Sequence, residues 1–210
     1  MNLPTMRANV RRDLHDEDSE DYRWTDDELD RHIARALAQF SHALPVEDTA
    51  DIETTDGSRE IDISQLSDRV MVQAVEYPTG SYPRCYQRFA LWADKLTILS
   101  DGVPEGSDAR IYYGKLHTLD TSTSTIPSRY EDLVALGAAA YALLEWAGYA
   151  INRVNVGGTQ VAREYREQGS ERLARFRQEL RRLGRQNRVR VRQLYAPART
   201  PVSKAAVSGP

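Results

Sequence analysis

The stretch WTDDELDRHIARALAQFSHALP, residues 24–45, carries the strongest local signal in the chain. Thr25 offers a short hydroxyl side chain that can accept from the free backbone N–H groups at a helix start, and Glu28 stands three residues on, where its carboxylate can return a bond to the Thr25 N–H. Trp24 and Leu29 occupy the two positions of a hydrophobic staple. Asp26 and Asp27 fall in the turn where the helix dipole favours acids. Leu29, Ile33, Leu37, Phe40 and Leu44 recur at helical spacing, and Pro45 ends the pattern. The stretch predicts an amphipathic helix whose apolar face needs other elements to cover it.

Working outward, residues 5–14 predict a short helix with Met6, Val10 and Leu14 on one side. The acidic connector HDEDSEDYR, residues 15–23, joins it to the capped helix. Downstream the texture changes to short alternating runs. Asp56-Gly57 is a hairpin signal between two extended segments. DRVMVQAVEYP (68–78) and ARIYYGKLHTL (109–119) each read as a strand, and CYQRFALWADKLTIL (85–99) as two strands turning near Ala93-Asp94. PTGSYP and SDGVPEGSD separate them, which predicts an antiparallel module of five or six strands.

Helical texture returns after DTSTSTIP. Pro127 suits a first helical turn, and residues 128–152 predict a buried helix. Within it, LVALGAAAYALLEWAGYAI (133–151) is long enough to span a bilayer. Glu145 and the many Ala and Gly residues favour a helix buried among other helices, so no membrane partner is expected. Thr159 opens a further helix with the stripe Val161, Tyr165, Leu173, Phe176, Leu180 and Leu183. Gly169-Ser170 interrupts that stripe and suggests a bend, and Gly184 predicts its end.

The expected fold class is therefore α+β: a four-helix bundle (1–48 and 121–185) interrupted by an inserted antiparallel β module (49–120), with an extended C-terminal arm (186–210). Within the arm, RVRVRQLY alternates like a strand, and APARTPVSKAAVSGP reads as extended.

The chain has 210 residues, 40% hydrophobic and 28% charged, which fits a soluble protein with a sizeable core. Cys85 is the only cysteine, so no internal disulfide and no thiolate metal cluster can form. The N-terminus lacks the apolar region of a signal peptide. Charge is segregated. Residues 151–210 hold 14 Lys/Arg against 4 Asp/Glu, whereas residues 1–150 hold 14 against 27. Of the 28 basic residues 25 are arginine, the side chain suited to bidentate ion pairs. An acidic body with a basic end implies self-complementary assembly, an acidic protein partner or nucleic acid.

Catalytic signatures are missing. The chain contains no GxxxxGK[ST], GxSxG, HExxH or GxGxxG. His32 and His42 lie ten apart on one helix, too far for joint ligation, and His15 and His117 stand alone. DEDSED (16–21) lacks the glycine and glutamate that a calcium loop requires, so a solvated acidic connector is the better reading. GGT (157–159) reads as an interhelical turn before an anion cradle. Tyr77, Tyr82, Tyr86, Trp92, Tyr112 and Tyr113 read as hairpin packing before a base-stacking surface. No cofactor, metal or catalytic residue is expected.

YRWTDDELDRHIARAL (22–37), a β insertion, STIPSRYEDLVALGAAAYALLEWA (124–147) and a long Arg/Glu helix with an extended end follow one another in an order that resembles the head-to-tail adaptor (connector, head-completion) proteins of tailed bacteriophages. The resemblance implies a structural virion protein of the head–tail neck, assembled in the host cytoplasm, that forms a ring of twelve copies beneath the portal protein. It implies a C-terminal segment docked on the portal, a tail or stopper protein on the opposite side, and DNA passing through the lumen without sequence-specific binding. Under that reading Arg188, Arg190, Arg192, Leu194, Tyr195 and Pro197 are the expected portal-docking residues. Arg163, Arg166, Arg172 and Arg175 with Asp26 and Asp27 are the expected contacts between subunits. The alternative is a nucleic-acid-binding protein that uses the Arg-rich C-terminal segment on phosphates.

Overall fold

The computed structural model describes residues 1–66, 68–100, 102–150 and 159–195. These form a mixed α+β chain of four helices and seven strands. Two compact units divide it. One comprises the described residues of Met1–Asp48, Asp68–Met71 and Gly114–Gln186; the other comprises those of Thr49–Ser67 and Val72–Tyr113 with the described residues from Asn187.

The helical unit begins with α1, Leu3–Leu14. The Asn2 side chain caps it by accepting from the Thr5 N–H at 3.0 Å, and Pro4 sits in the first turn, where its missing N–H costs nothing. Helix α2, Asp26–Ala43, starts as its sequence predicts. The Glu28 N–H donates to Thr25 Oγ1 at 3.3 Å and the Thr25 N–H donates to Glu28 Oε2 at 2.8 Å. That backbone bond is the main reason the Glu28 carboxyl titrates below its usual range. Trp24 and Leu29 of the staple are both buried. Helix α3 spans Glu131–Ala150 after a 3-10 turn at Ser128–Tyr130, and α4 spans Thr159–Leu194.

All four helices contribute to one apolar core. Met6, Val10 and Leu14 of α1 meet Leu29, Ile33, Leu37 and Phe40 of α2, the small residues of α3, and Leu173, Phe176 and Leu183 of α4. α3 with its leading turn is long and apolar enough to cross a membrane, but most of that stretch is buried inside the protein. Two glycines set the close approach of α3 and α4. A Cβ at Gly137 would stand 2.8 Å from Phe176 Cζ, and one at Gly169 would stand 2.9 Å from Leu144 Cγ and 3.2 Å from the Ala140 carbonyl oxygen. Gly169 is thus a member of the apolar stripe, the point where α4 touches α3, and α4 continues through it as helix.

The β unit holds strands from two sheets. The first has the order β1-β7-β3-β4, with β1 Val46–Glu53, β3 Arg69–Glu76, β4 Tyr86–Gln87 and β7 Asp108–Lys115; the second has the order β2-β6-β5, with β2 Glu60–Asp62, β5 Phe89–Trp92 and β6 Lys95–Ile98. The pairs β2/β6, β5/β6 and β3/β4 are antiparallel. Ile52, Ile61, Ile63, Leu96, Ile98 and Ile111 form the core of this unit.

Three expectations are corrected. Seven strands form among the described residues, one more than the largest number expected. The Asp56-Gly57 turn exists, but its flanking strands do not pair with each other: β1 lies against β7 and β2 against β6. A turn signal reports a local reversal, and the cross-strand partner is chosen by side-chain packing from elsewhere in the chain. The segment after Gly184 is not extended up to Tyr195. α4 runs through Gly184 to Leu194, so Arg188, Arg190, Arg192 and Leu194 are helical. The helical penalty of one glycine, about 1 kcal/mol, is outweighed by packing. Leu183 and Asn187 are buried, and Val191 and Tyr195 are half-buried, at successive four-residue steps.

Candidate assembly interface

The acidic connector is held by one buried arginine. Arg11 Nη1 donates to Asp16 Oδ2 at 2.7 Å, and both side chains are more than nine-tenths buried. The same Asp16 carboxylate accepts from the Arg23 N–H at 2.7 Å, which fixes how the chain enters α2. Arg11 also reaches Asp26 Oδ1 at 2.7 Å, and Arg7 bridges Asp26 at 2.6 Å and Asp30 at 2.7 Å. Asp26, an expected subunit contact, is therefore engaged inside its own chain, and Arg11 chiefly holds its carboxyl below the usual range. Asp27 beside it is exposed. Glu17, Asp18, Glu20 and Asp21 also point to solvent.

The arginines of α4 divide by face. Arg163 pairs with Glu167 at 2.8 Å and Arg175 with Glu171 at 2.5 Å, each one turn apart. Such exposed pairs are screened by solvent and contribute little to stability. Arg166 is exposed. Arg172 donates to the Asp13 carbonyl oxygen at 3.0 Å. It lines a cleft of about 620 Å³ with Asp13, His15, Arg23 and Tyr165 on the α1 side of the helical unit. Burial raises the Asp13 carboxyl there.

Farther along α4, Arg177, Arg181, Arg185, Arg188 and Arg192 are all exposed. At about 100° per residue they fall within roughly 80° of one another, so they form one continuous arginine stripe. This periodicity replaces the strand-like alternation expected for RVRVR: Val189 is 58% exposed, while Val191 turns inward. Arg190 lies off the stripe and donates to Asn187 Oδ1 at 2.8 Å. Leu194 is exposed, but Tyr195 is already taken up within the β unit, where its ring lies 6.1 Å from that of Tyr86. Pro197 and the glycines of GGT lie outside the described residues.

A second cleft, of about 540 Å³, opens on the other side of the helical unit. Arg31, His32 and Arg35 of α2, Tyr141 and Glu145 of α3 and Arg177 of α4 line it. Glu145, the one charge inside the apolar run, pairs here with Arg31 and stands 2.6 Å from His32 Nε2. Burial is the largest influence on His32 and lowers its pKa despite that carboxylate. The Arg35 guanidinium lies 4.1 Å above the Tyr141 ring. Sequence reasoning missed this group. Its signal was available: an acid within an apolar helix must meet a cation, and Arg31 and Arg35 flank a histidine at one-turn spacing.

Among the described residues no cluster of His, Cys, Asp and Glu is placed to hold a metal ion. The fold and its surfaces are those of an α+β protein whose distinctive features are charged helix faces: buried ion pairs fix the connector, and arginines gather on one side of the longest helix. The SU10 adaptor protein family model matches residues 1–201, and the chain belongs to that family. It is a phage structural adaptor and a component of the virion. No curated protein matches the chain.

Proposed function

We propose that this adaptor forms a ring, with twelve copies, that joins the portal of a phage head to the tail or a stopper protein and lines the channel through which DNA passes. In this reading the four helices act as one bundle and make the body of each subunit. The last turns of α4 carry the portal contact, and the protein works without catalysis. It assembles in the host cytoplasm. The observation that supports the reading best is the arginine stripe from Arg177 to Arg192, a cationic face on a helix that runs to Leu194. Arg188, Arg192 and Leu194 meet the partner, with Pro197 beyond them; Tyr195 and Arg190 brace the helix end. Exposed Arg163, Arg166, Arg175 and Asp27 face neighbouring subunits.

Replacing Arg185 and Arg192 together by glutamate tests the docking assignment. Portal binding, measured by co-sedimentation, is expected to fall at least about tenfold, since like charges across an interface cost several kcal/mol. Unchanged binding by the folded variant would remove the assignment. The stripe also supports a second reading, phosphate binding. That reading predicts duplex affinity falling steeply with salt, and filter binding at two salt concentrations decides it.

A further inference from the structure

The cleft between α2, α3 and α4 is built for an anion. Arg31, Arg35 and Arg177 converge on it against one carboxylate, Glu145, which Arg31 already pairs. Arg35 and Arg177 have no carboxylate partner among the described residues. Tyr141, 4% exposed, lines the same cleft, and its hydroxyl is buried without a hydrogen-bond partner.

The same chain carries a matching donor of negative charge. Glu17, Asp18, Glu20 and Asp21 place four carboxylates in five exposed positions. Their loop is ordered by the buried Arg11–Asp16 pair and by the Asp18 side chain, which accepts from the Glu20 N–H at 3.0 Å. Among the described residues Glu17 alone of these four has an ion pair, with Arg12 at 3.7 Å. Donor and acceptor lie on different flanks of one copy. The connector follows α1, on the flank where Val161, Tyr165 and Arg172 of α4 line the other cleft; the cationic cleft takes Leu173 and Arg177. At about 100° per residue those two sets point roughly 120° apart around α4. Two complementary patches on different flanks make a head-to-tail contact that repeats from copy to copy.

We propose that the cleft lined by Arg31, Arg35, Tyr141 and Arg177 receives the acidic connector, Glu17 to Asp21, of a neighbouring copy of this chain. The proposal rests on the ring reading and names its subunit contact. Each copy inserts its connector into the next, and the carboxylates meet Arg35 and Arg177 while Arg31 stays with Glu145.

The test uses full-length protein with Cys85→Ser and two single-cysteine variants, Ser19→Cys in the connector and Ser170→Cys. Ser170 lies on the Leu173–Arg177 side of α4 and leaves the charges of the cleft intact. The two variants are mixed and treated with a short bismaleimide, while light scattering reads oligomer mass. The expected result is a cross-link between copies. Arg35→Glu with Arg177→Glu should weaken it at least about tenfold, and Glu17→Lys with Asp18→Lys on the other copy should restore it to within about threefold, because the like charges are again opposite. Restoration also shows that the reversed variant folds. Oligomers without the cross-link overturn the proposal and leave the ring reading standing. Single copies without the cross-link at any concentration overturn both. A cross-link indifferent to the reversal overturns the proposal, and loss of duplex DNA binding in the same variant would assign the cleft to phosphate.

Discussion

In the helical unit, α3 is rich in small buried residues, and Phe176 of α4 lies against Gly137, where a Cβ would stand 2.8 Å from its ring. In the β unit, Ile52, Ile61, Ile63, Ile98 and Ile111 make up half of the buried cluster. The first core sets large rings, Phe40 and Phe176 among them, beside small residues; the second is filled largely by isoleucine. All four histidines also fall in the helical unit. The two regions should therefore answer differently to volume and to acid.

The largest effect expected is that of Phe176→Ala. The ring is fully buried against Gly137, which has no side chain to lean into the cavity its loss leaves. A cost of about 4 kcal/mol follows, read as a shift in the urea midpoint. Gly137→Ala should cost about 2 kcal/mol by overpacking, since the new methyl meets the Phe176 ring. Joined with Phe176→Leu, it should cost less than the sum of the two single changes, because the smaller side chain makes room. Strict additivity would mean that α3 and α4 shift apart freely. The counterpart in the β unit, Ile111→Val, removes one methylene from a fully buried side chain and should cost about 1 kcal/mol. A larger loss there than at Phe176 would break the comparison outright.

The contrast also explains what the sequence disclosed. The capping box of Thr25 and Glu28, the α2 face and most of the α4 stripe are local, written at helical spacing, and the structure keeps them. Gly169 looked like an interruption because a contact that depends on a missing side chain leaves no residue to mark it. Gly184 looked like a stop because the packing that carries α4 through it comes from distant residues. In the β unit the strand segments could be read, but their partners could not: β1 finds β7 across most of the module. For the surfaces, the basic end was evident from composition. Its division into an arginine stripe, with Tyr195 drawn inward, required the helix.

Acid should act on the helical unit first. The His117 ring is buried; Nε2 lies 2.9 Å from the Leu44 carbonyl oxygen, and Nδ1 lies 3.0 Å from that of Thr125. Burial pushes its pKa below the ordinary value, as it does for His32. The unfolded chain then takes up a proton near pH 6.5 that the folded chain refuses. Stability is full above that pH and falls as pH drops through it, until the folded ring also titrates. Urea midpoints at pH values of about 7.5 and 5.5 should show the decline, and His117→Gln should flatten it. An unchanged slope in that variant would mean that His117 is not a source of the decline.

The smallest effect belongs to the β unit's surface. Trp92 ends β5 at 85% exposure, beside the left-handed Ala93 of the β5–β6 turn, and Tyr82 is 99% exposed. Neither ring removes much apolar area from water in the single chain, so Trp92→Ser should shift stability by less than about 0.5 kcal/mol. The register Trp92↔Lys95 that closes the hairpin depends on backbone bonds and on Leu96 and Ile98 packing inward, which the substitution leaves intact. A loss greater than about 1 kcal/mol, comparable with removing a buried methylene, would show that the β core reaches the hairpin tip. The division between a unit with large rings set beside small residues and a unit filled largely by isoleucine would then need to include an aromatic edge.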